Sequence, residues 1–206
     1  MTTRRIYIVD DDLAVRTSLE YLLSMIGESE IRCFDSGDGF LESAPLLEPG
    51  CLLLDLQMPG ASGLQVLSTV GGRPTRFVPI VLTGEGDVSV AVQAMKLGAI
   101  DFIEKPCDHL KLMTAVEAAF TQQAASTAEE QRKAKAISLL EQLSSRELDV
   151  LRGLIDGQSN KIIAHALDIS PRTVEIYRAK LMEKLQVRSL SEVLRIAFAA
   201  GLVPMD

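Results

Sequence analysis

Cysteine is scarce in this 206-residue chain, and long hydrophobic runs are absent from it. The three cysteines, Cys33, Cys51 and Cys107, are far apart in unlike surroundings, which argues against a disulfide framework or a zinc site and suits a reducing cytosol. No apolar stretch approaches the roughly 18 residues that a membrane span requires. The segment MTTRRIYIVDDD places only IYIV before three acids, too little for a secretory signal. We therefore expect a cytoplasmic protein without membrane segments.

The net charge of −7 is distributed unevenly along the chain. Residues 144–206 contain 9 Lys and Arg against 8 Asp and Glu, whereas the preceding residues contain 12 against 20. Within 158–188, six basic residues stand against three acids. An acidic first part joined to a locally basic last part favours nucleic-acid contact by the last part.

Strand-like and helix-like segments alternate up to about residue 124. The run IYIV is typical of a strand, and apolar residues then recur at spacings of three and four, as on one helix face. The continuous apolar run before Asp55 is typical of a central parallel strand covered on both faces. Five units of a strand followed by a helix predict an α/β fold, a (βα)5 doubly wound parallel sheet. The predicted strands are 6–9, 30–34, 51–55, 78–84 and 99–106, and the predicted helices are 15–26, 38–44, 64–69, 88–97 and 108–123.

The last part of the chain has no strand pattern and predicts a small all-α domain of four helices. Between the two parts, TQQAASTAEEQRKAK lacks large apolar residues and is typical of a polar linker with helical propensity. Serines that can cap helices mark the helix starts, and two short helices joined by LDIS form a helix-turn-helix. The predicted helices run from Ser144 or Ser145 to Ile155, from 161 to 167, from 171 to 186, and from Ser189 or Ser191 to Gly201. The predicted domains are 4–122, 123–138 (the linker) and 139–206.

Polar side chains follow four of the predicted strands at the point where each strand ends. Asp10 and Asp11 follow the first strand, Asp55 the third, Thr83 the fourth and Lys105 the fifth. Ligands of an open parallel sheet bind beyond the carboxyl ends of its strands, so these side chains are expected to converge on one pocket.

The acids of this pocket suit a hard divalent cation, which prefers oxygen ligands. We expect Mg²⁺, or Mn²⁺, with Asp11 and Asp55 as direct ligands, Asp10 acting through water, and the backbone carbonyl of Gln57 completing the protein's share. The bound metal would ease transfer of a phosphoryl group to a carboxylate. Lys105 and the Thr83 hydroxyl can then contact phosphoryl oxygens.

Simpler interpretations exist for each of these residues alone. Asp12, and Asp11 with it, can cap the first helix, and Asp55 or Thr83 can be an ordinary turn residue. A phosphatase of the haloacid-dehalogenase type would need a second Asp two residues after Asp55, and Gln57 stands there. Because all four features occur at strand ends, we favour one shared site.

The strings IYIVDDD, LLLDLQMPG, IVLTG and DFIEKP resemble, in that order, the receiver domain of bacterial two-component response regulators. The resemblance covers about the first 120 residues. It implies that a sensor histidine kinase phosphorylates Asp55 and that Phe102 is the aromatic switch residue. It also implies that the face formed by 88–103 changes on phosphorylation and dimerises. The expected dimerisation residues are Val92, Met95 and Lys96.

The helix predicted from Pro171 to Gln186 has two distinct faces at about 100° per residue. Its core stripe is expected to comprise Val174, Tyr177, Leu181 and Leu185. An exposed isoleucine and alanine on the other side are explained if a DNA major groove covers them, with phosphate anchors beside them. The expected DNA contacts are Lys161, Arg172, Thr173, Glu175, Ile176, Ala179, Lys180 and Lys184. The plainer alternative is a four-helix bundle with solvated lysines.

The strings SPRTVEIYRAKLMEKLQVRS and LSSRELDVLRGLIDGQSNKIIAHAL resemble the LuxR-type helix-turn-helix. Together with the receiver they resemble a FixJ/NarL-family response regulator, nearest to the FixJ branch. Glu175 and Ala179 stand where some relatives have lysines, so no target sequence is carried over. The resemblance implies a phosphorylation-dependent transcription regulator that binds double-stranded promoter DNA as a dimer and contacts RNA polymerase.

Two other classes of function remain open. The chain could be an interaction protein whose receiver sequesters a kinase and whose tail helices bind protein. It could also be a metal-dependent phosphatase, although it has no His, Cys or second acid placed to attack an external phosphate. Beyond acceptance and slow hydrolysis of its own phosphoryl group, we expect no enzymatic activity.

Overall fold

The chain divides into two units, Met1–Thr127 and Ala128–Asp206. The computed structural model describes residues 3–27, 29–70, 76–84 and 88–204. The elements are β1 Arg4–Val9, α1 Leu13–Leu23, β2 Ser29–Phe34, α2 Gly37–Ser43, β3 Gly50–Asp55, α3 Gly63–Val70, β4 Phe77–Thr83, α4 Val88–Lys96, β5 Asp101–Glu104, α5 His109–Leu140, α6 Ser145–Ile155, α7 Asn160–Leu167, α8 Pro171–Lys184 and α9 Leu190–Ala199.

The first unit is built on a five-stranded parallel sheet with the strand order β2-β1-β3-β4-β5. This confirms the predicted doubly wound α/β fold. The order reverses between β1 and β3, which is where such sheets bind their ligands. Asp10 follows β1 and Asp55 ends β3, so the two acids lie at this switch point.

Strand β3 is buried along its whole length, as its continuous apolar run predicts. Cys51 and Leu53 pack on one face of the sheet with the apolar residues of α1 and α5. Leu52 and Leu54 pack on the other face with residues of α2 and α3. The central strand therefore has no solvent-exposed face before it reaches Asp55. Its complete burial also raises the pKa of the Cys51 thiol.

The predicted fifth strand, 99–106, was too long at both ends. Ladder pairing with β4 covers only Asp101–Glu104. Before it, the Ile100 N–H donates to the Pro79 carbonyl at 2.9 Å, and after it, the Lys105 N–H donates to the Thr83 carbonyl at 2.7 Å. Pro106 has no N–H with which to continue the ladder. The short strand still delivers Lys105 at the same edge as Thr83.

Helix α5 runs without a break through the segment that the sequence analysis treats as a linker. In the second unit, Ala136 and Leu140 of α5 are buried. Leu140 packs in a cluster with residues of α6, α8 and α9, so the end of α5 joins three of the four predicted helices in covering this core. The domain boundaries at 122, 138 and 139 remain a prediction.

Serine caps begin the helices of the second unit. Ser144, Ser159, Ser170 and Ser189 each accept a hydrogen bond from the backbone N–H of the third helical residue. Such caps satisfy N–H groups that have no partner inside the helix. Helices α7 and α8 are joined by a short turn with Asp168 at φ 55°, which gives the predicted helix-turn-helix.

Helix α8 ends two residues earlier than predicted, at Lys184, because Gln186 has φ 56° and cannot continue the helix. Val174, Leu181 and Leu185 are buried, as predicted for the core stripe, and Tyr177 is half-buried. Of the helices within the described ranges, none has both the length and the apolar character that crossing a membrane requires.

Candidate phosphoacceptor site and nucleic-acid interface

Three carboxylates meet at the carboxyl edge of the sheet. One carboxylate oxygen from each of Asp10, Asp11 and Asp55 lies within 4.8 Å of the others. Asp10 and Asp55 are buried and Asp11 is exposed, so the cluster opens to solvent on one side. The adjacency of β1 and β3 brings these acids together although 44 positions separate Asp11 from Asp55.

Lys105 supplies the positive charge of this cluster. Its Nζ lies 2.6 Å from Oδ2 of Asp10 and 3.2 Å from Oδ2 of Asp55. The backbone hydrogen bond to the Thr83 carbonyl holds the start of the loop after β5 beside β4, and Thr83 is itself buried. Three carboxylates against one ammonium leave excess negative charge among oxygen donors, a donor set that fits Mg²⁺ or Mn²⁺.

The environment shifts the ionisation of two groups in the site. Burial raises the pKa of Asp55, the ammonium of Lys105 lowers it in part, and the nearby Asp10 raises it further. Burial alone would lower the pKa of Lys105, but the hydrogen bond to Asp10 and the charges of Asp55 and Asp10 raise it overall. The lysine is therefore kept as a cation next to the two carboxylates.

Asp12 has the structural role that its sequence position allows. It is the N-cap of α1, and its Oδ1 accepts a hydrogen bond from the Ala14 N–H at 2.7 Å. Asp12 also donates its own N–H to Oδ1 of Asp10 at 3.0 Å, which helps to orient that carboxylate. Asp12 thus caps the helix, while Asp10 and Asp11 belong to the acid cluster.

The loop between β3 and α3 is held by a residue that the sequence analysis did not identify. Asp38, at the start of α2, accepts a hydrogen bond at Oδ2 from the Ala61 N–H at 2.9 Å. Between Asp55 and Ala61, Gly60 has φ 76°, and a Cβ there would lie 2.2 Å from Asp38 Oδ2. Asp38 therefore fixes the loop that follows the predicted phosphoacceptor.

The predicted switch and dimerisation residues lie at the surface of the first unit. Phe102 is 42% exposed, and Val92 and Met95 of α4 are exposed to a similar degree. Lys96 is also exposed. Exposed apolar side chains on neighbouring elements are typical of a protein contact surface, but their role here stays a prediction.

Most of the predicted DNA contacts are exposed on the second unit. Ile176 is 50% exposed, and Thr173 is half-buried, with its hydroxyl 2.8 Å from that of the cap Ser170. The other exposed members of the predicted set are Lys161, Arg172, Glu175, Ala179 and Lys180. An exposed isoleucine beside cations is the pattern from which the sequence analysis predicts a groove contact.

Lys184 does not fit the role of a free phosphate anchor. Its Nζ lies 2.7 Å from Oε2 of Glu147 and 3.1 Å from the backbone carbonyl of Gln142. The Glu147 side chain is only 4% exposed. We therefore leave Lys184 out of the proposed DNA contacts.

Arg178 is a candidate that the sequence analysis did not assign. Its Nη1 donates to Oδ1 of Asn160 at 2.6 Å, and it lines a pocket of about 420 Å³ together with Lys161 and Ser159. Two cations from different helices thus line one concavity. The basic count of 158–188 includes Arg178, but its position between the two faces of α8 gave no reason to single it out.

Comparison with known proteins identifies the family. The model described as "Response regulator receiver domain" matches residues 6–117, and the model described as "Bacterial regulatory proteins, luxR family" matches residues 141–197. The transcriptional regulatory protein FixJ of Bradyrhizobium diazoefficiens is 43% identical over 204 residues, covering 98% of this chain and 99% of that protein. The chain is a response regulator of the FixJ/NarL family.

Other relatives of this FixJ/NarL regulator are also similar over most of its length. FixJ of Rhizobium meliloti is 42% identical, covering 99% of this chain and all of that protein. The tetrathionate response regulatory protein TtrR of Salmonella typhimurium is 37% identical, covering 92% of this chain and 90% of that protein.

Solved structures agree with this assignment. The response regulator StyR matches with a TM-score of 0.79 at 34% identity, covering 96% of this regulator and 99% of that chain. Full-length FixJ from B. japonicum matches with a TM-score of 0.59 at 42% identity, covering 98% and 100%. The FixJ/NarL chain thus has the receiver fold and the helical C-terminal domain of transcription regulators.

Proposed function

We propose that a sensor histidine kinase phosphorylates Asp55 and that this phosphorylation promotes promoter binding by α8. The observation that carries the proposal is the cluster of Asp10, Asp11 and Asp55 around Lys105 at the switch point of the sheet. Its location in a chain of receiver and LuxR-type domains supports a regulatory role for the cluster.

The acid cluster would hold a divalent cation, Mg²⁺ or Mn²⁺, through Asp10, Asp11, Asp55 and the backbone carbonyl of Gln57. A bound cation supplies charge neutralisation for an incoming phosphoryl group. The three clustered carboxylate oxygens support this assignment because their excess negative charge needs compensation.

Lys105 and Thr83 would contact oxygens of the phosphoryl group carried by Asp55. The Lys105 ammonium already lies 3.2 Å from the Asp55 carboxylate, so it can pair with an oxygen of the new group. Thr83 is the buried last residue of β4, where its hydroxyl can donate to another oxygen. Movement of Thr83 would be transmitted to Phe102, whose strand pairs with β4.

DNA binding is proposed for the exposed face of α8. Arg172, Glu175, Ile176 and Ala179 would meet base edges in the major groove, with Thr173 at the helix start. Lys161, Lys180 and Arg178 would contact backbone phosphates and set the register without reading sequence.

The active form is proposed to be a homodimer assembled through the 88–103 face, with Val92, Met95, Lys96 and Phe102 at the contact. A symmetric dimer presents two copies of α8 to two half-sites of a promoter. RNA polymerase is the expected further partner, and the bacterial cytoplasm, where the DNA lies, is the expected location. Acceptance and slow loss of its own phosphoryl group is the only catalysis proposed.

The substitution Asp55→Asn tests the proposal, with Glu42→Gln as a control because Glu42 is an exposed acid on α2. With a small acyl phosphate and Mg²⁺, the wild type and the Glu42 variant should be phosphorylated and bind duplex DNA more tightly. Asp55→Asn should do neither. Undiminished, phosphodonor-insensitive DNA binding by Asp55→Asn would refute the switching mechanism.

The competing interaction-protein hypothesis makes a different prediction for salt. DNA phosphate contacts make affinity fall steeply as salt rises, because binding releases counterions. Duplex binding that is weak and independent of salt would favour a tail that contacts protein.

A further inference from the structure

We propose that Lys184 is a positioning residue of α8, which fixes the C-terminal end of that helix against the start of α6 through Glu147 and Gln142. The inference rests on the proposed DNA binding by α8. It assigns to a lysine of the basic region a role other than contact with a phosphate.

The contacts of Lys184 join three segments. Its ammonium pairs with Oε2 of Glu147 at 2.7 Å and donates to the Gln142 carbonyl at 3.1 Å. Gln142 follows the end of α5, and Glu147 is the third residue of α6. The last residue of α8 is therefore tied to the junction between α5 and α6.

Glu147 is itself fixed in place. Its Oε2 accepts a hydrogen bond from the Ser144 N–H at 2.8 Å, and its own N–H donates to the Ser144 hydroxyl, which completes a capping box. The Glu147 side chain is 4% exposed, and the capping box holds its carboxylate in place. Lys184 thus pairs with an acid of fixed location.

The burial of Glu147 favours a Lys184 that stays in its ion pair over one that contacts a DNA phosphate. If the lysine left for a DNA phosphate, it would leave a buried carboxylate without its cation, which is strongly unfavourable. Lys180, one turn earlier on α8, is exposed and forms no ion pair with any acid in the part of the chain that the structure describes. Phosphate contact is therefore assigned to Lys180, and Lys184 stays with Glu147.

Fixing the end of α8 matters for the residues proposed to meet bases. Ile176 precedes Lys184 by eight residues, or roughly 12 Å along a helix. Ser170 caps the other end, and Leu181 packs in the core. Loss of the tie would allow α8 to tilt, and a tilt displaces base contacts more than flexible phosphate contacts.

The test compares Lys184→Met with the matched control Lys180→Met in the full-length chain. A duplex selected from a random library with the wild type and a scrambled duplex of equal length are the two probes, each titrated at several salt concentrations. Lys180→Met should weaken both complexes and reduce the salt slope by about 1. Lys184→Met should leave the slope and the scrambled duplex unchanged and lower the selected-to-scrambled ratio about threefold or more.

Three further variants separate a positioning role from an effect on stability alone. Glu147→Gln should lower the same ratio, and the double variant should be no worse than either single one, because both remove the same tie. Lys184→Arg, which keeps the cation, should recover most of the ratio. Circular dichroism at the assay temperature checks that each variant is folded. If Lys184→Met is unfolded, Glu147→Gln is used in its place to test the tie.

Each other outcome overturns the inference. A reduced salt slope in Lys184→Met would make the lysine a phosphate anchor. An unchanged ratio in folded variants would make the pair a purely stabilising one. If the wild type selects no duplex from the library, the proposed DNA-binding function fails first, and this inference fails with it.

Discussion

The ammonium of Lys105 lies 2.6 Å from Oδ2 of Asp10, closer than it lies to the predicted phosphoacceptor Asp55, at 3.2 Å. The cation therefore neutralises the innermost acid of the cluster while it remains within reach of Asp55. This arrangement leaves it positioned for a phosphoryl group on Asp55 without a large displacement.

Replacing Lys105 with Met should have opposite effects on phosphorylation and on metal binding. Phosphorylation by a small acyl phosphate should slow by about 100-fold, because a preorganised donor to the phosphoryl oxygens is lost. Mg²⁺ should bind the unphosphorylated chain more tightly, because the competing cation is gone. Lys111→Met, an exposed lysine of α5, is the control. Unchanged phosphorylation in Lys105→Met would contradict its proposed role.

Gly60→Ala should destabilise the first unit more than Gly27→Ala. Both glycines have positive φ, 76° and 49°, so both substitutions add backbone strain. Nothing lies within 4 Å of a Cβ at Gly27, whereas at Gly60 it would displace Asp38 and break the hydrogen bond to Ala61. We expect an additional loss of about 1–2 kcal/mol in the free energy of unfolding, measured by urea denaturation. Equal losses would show that Asp38 does not hold this loop.

Ile176→Ser should weaken specific DNA binding without affecting folding. Ile176 is 50% exposed, so the melting temperature should stay within about 1 °C of the wild type. Affinity for a duplex selected with the wild type should fall by about tenfold or more, with an unchanged salt slope. Val203→Ser, an exposed apolar residue beyond α9, serves as the control. An equal effect of both substitutions would argue against base contact by α8.

The ion pair of Glu147 predicts a pH-dependent stability of the second unit. Burial alone would raise the pKa of Glu147, but the hydrogen bonds from Lys184 and Ser144 lower it below its ordinary value of 4.5. The ionised group thus stabilises the fold above about pH 4.5, and this contribution is lost as the pH falls through the lowered pKa.

Calorimetry of the wild type and Glu147→Gln checks this sign. The difference between their melting temperatures should be largest near neutral pH and should shrink below pH 4.5. Glu141→Gln replaces an exposed acid just after α5 and should differ little from the wild type at any pH. A difference that grows in acid would contradict the assignment.

The sequence was sufficient to predict which side chains converge at the sheet edge. The carboxyl ends of parallel strands lie at one edge of the sheet, so an acid or lysine at or directly after a strand's end has a predictable location, as for Asp10, Asp55 and Lys105. The starts of the helices were equally predictable, because a capping serine bonds to backbone N–H groups within the first turn of its own helix. The bounds of β5 were less predictable, since they depend on ladder pairing with the neighbouring strand.

Contacts between distant elements were not predictable from the pattern. Helical periodicity placed Lys184 beside the exposed face of α8, but its partner Glu147 lies 37 positions earlier on another helix. The hydrogen bond of Asp38 to Ala61 spans 23 positions in the same way. Periodicity describes the direction of a side chain on its own element, and tertiary packing decides what it meets there.

The burial of Cys51 within β3 gives the first unit a protected thiol, while Cys33 lies two strands away at the exposed edge of the sheet. Cys33 on β2 is exposed and can react with a disulfide reagent from the native state, whereas Cys51 reacts only when the central strand opens. The ratio of the two labelling rates therefore measures opening of the sheet against an internal reference. Comparing this ratio with and without a phosphodonor would show whether phosphorylation of Asp55 makes β3 open less often around Cys51.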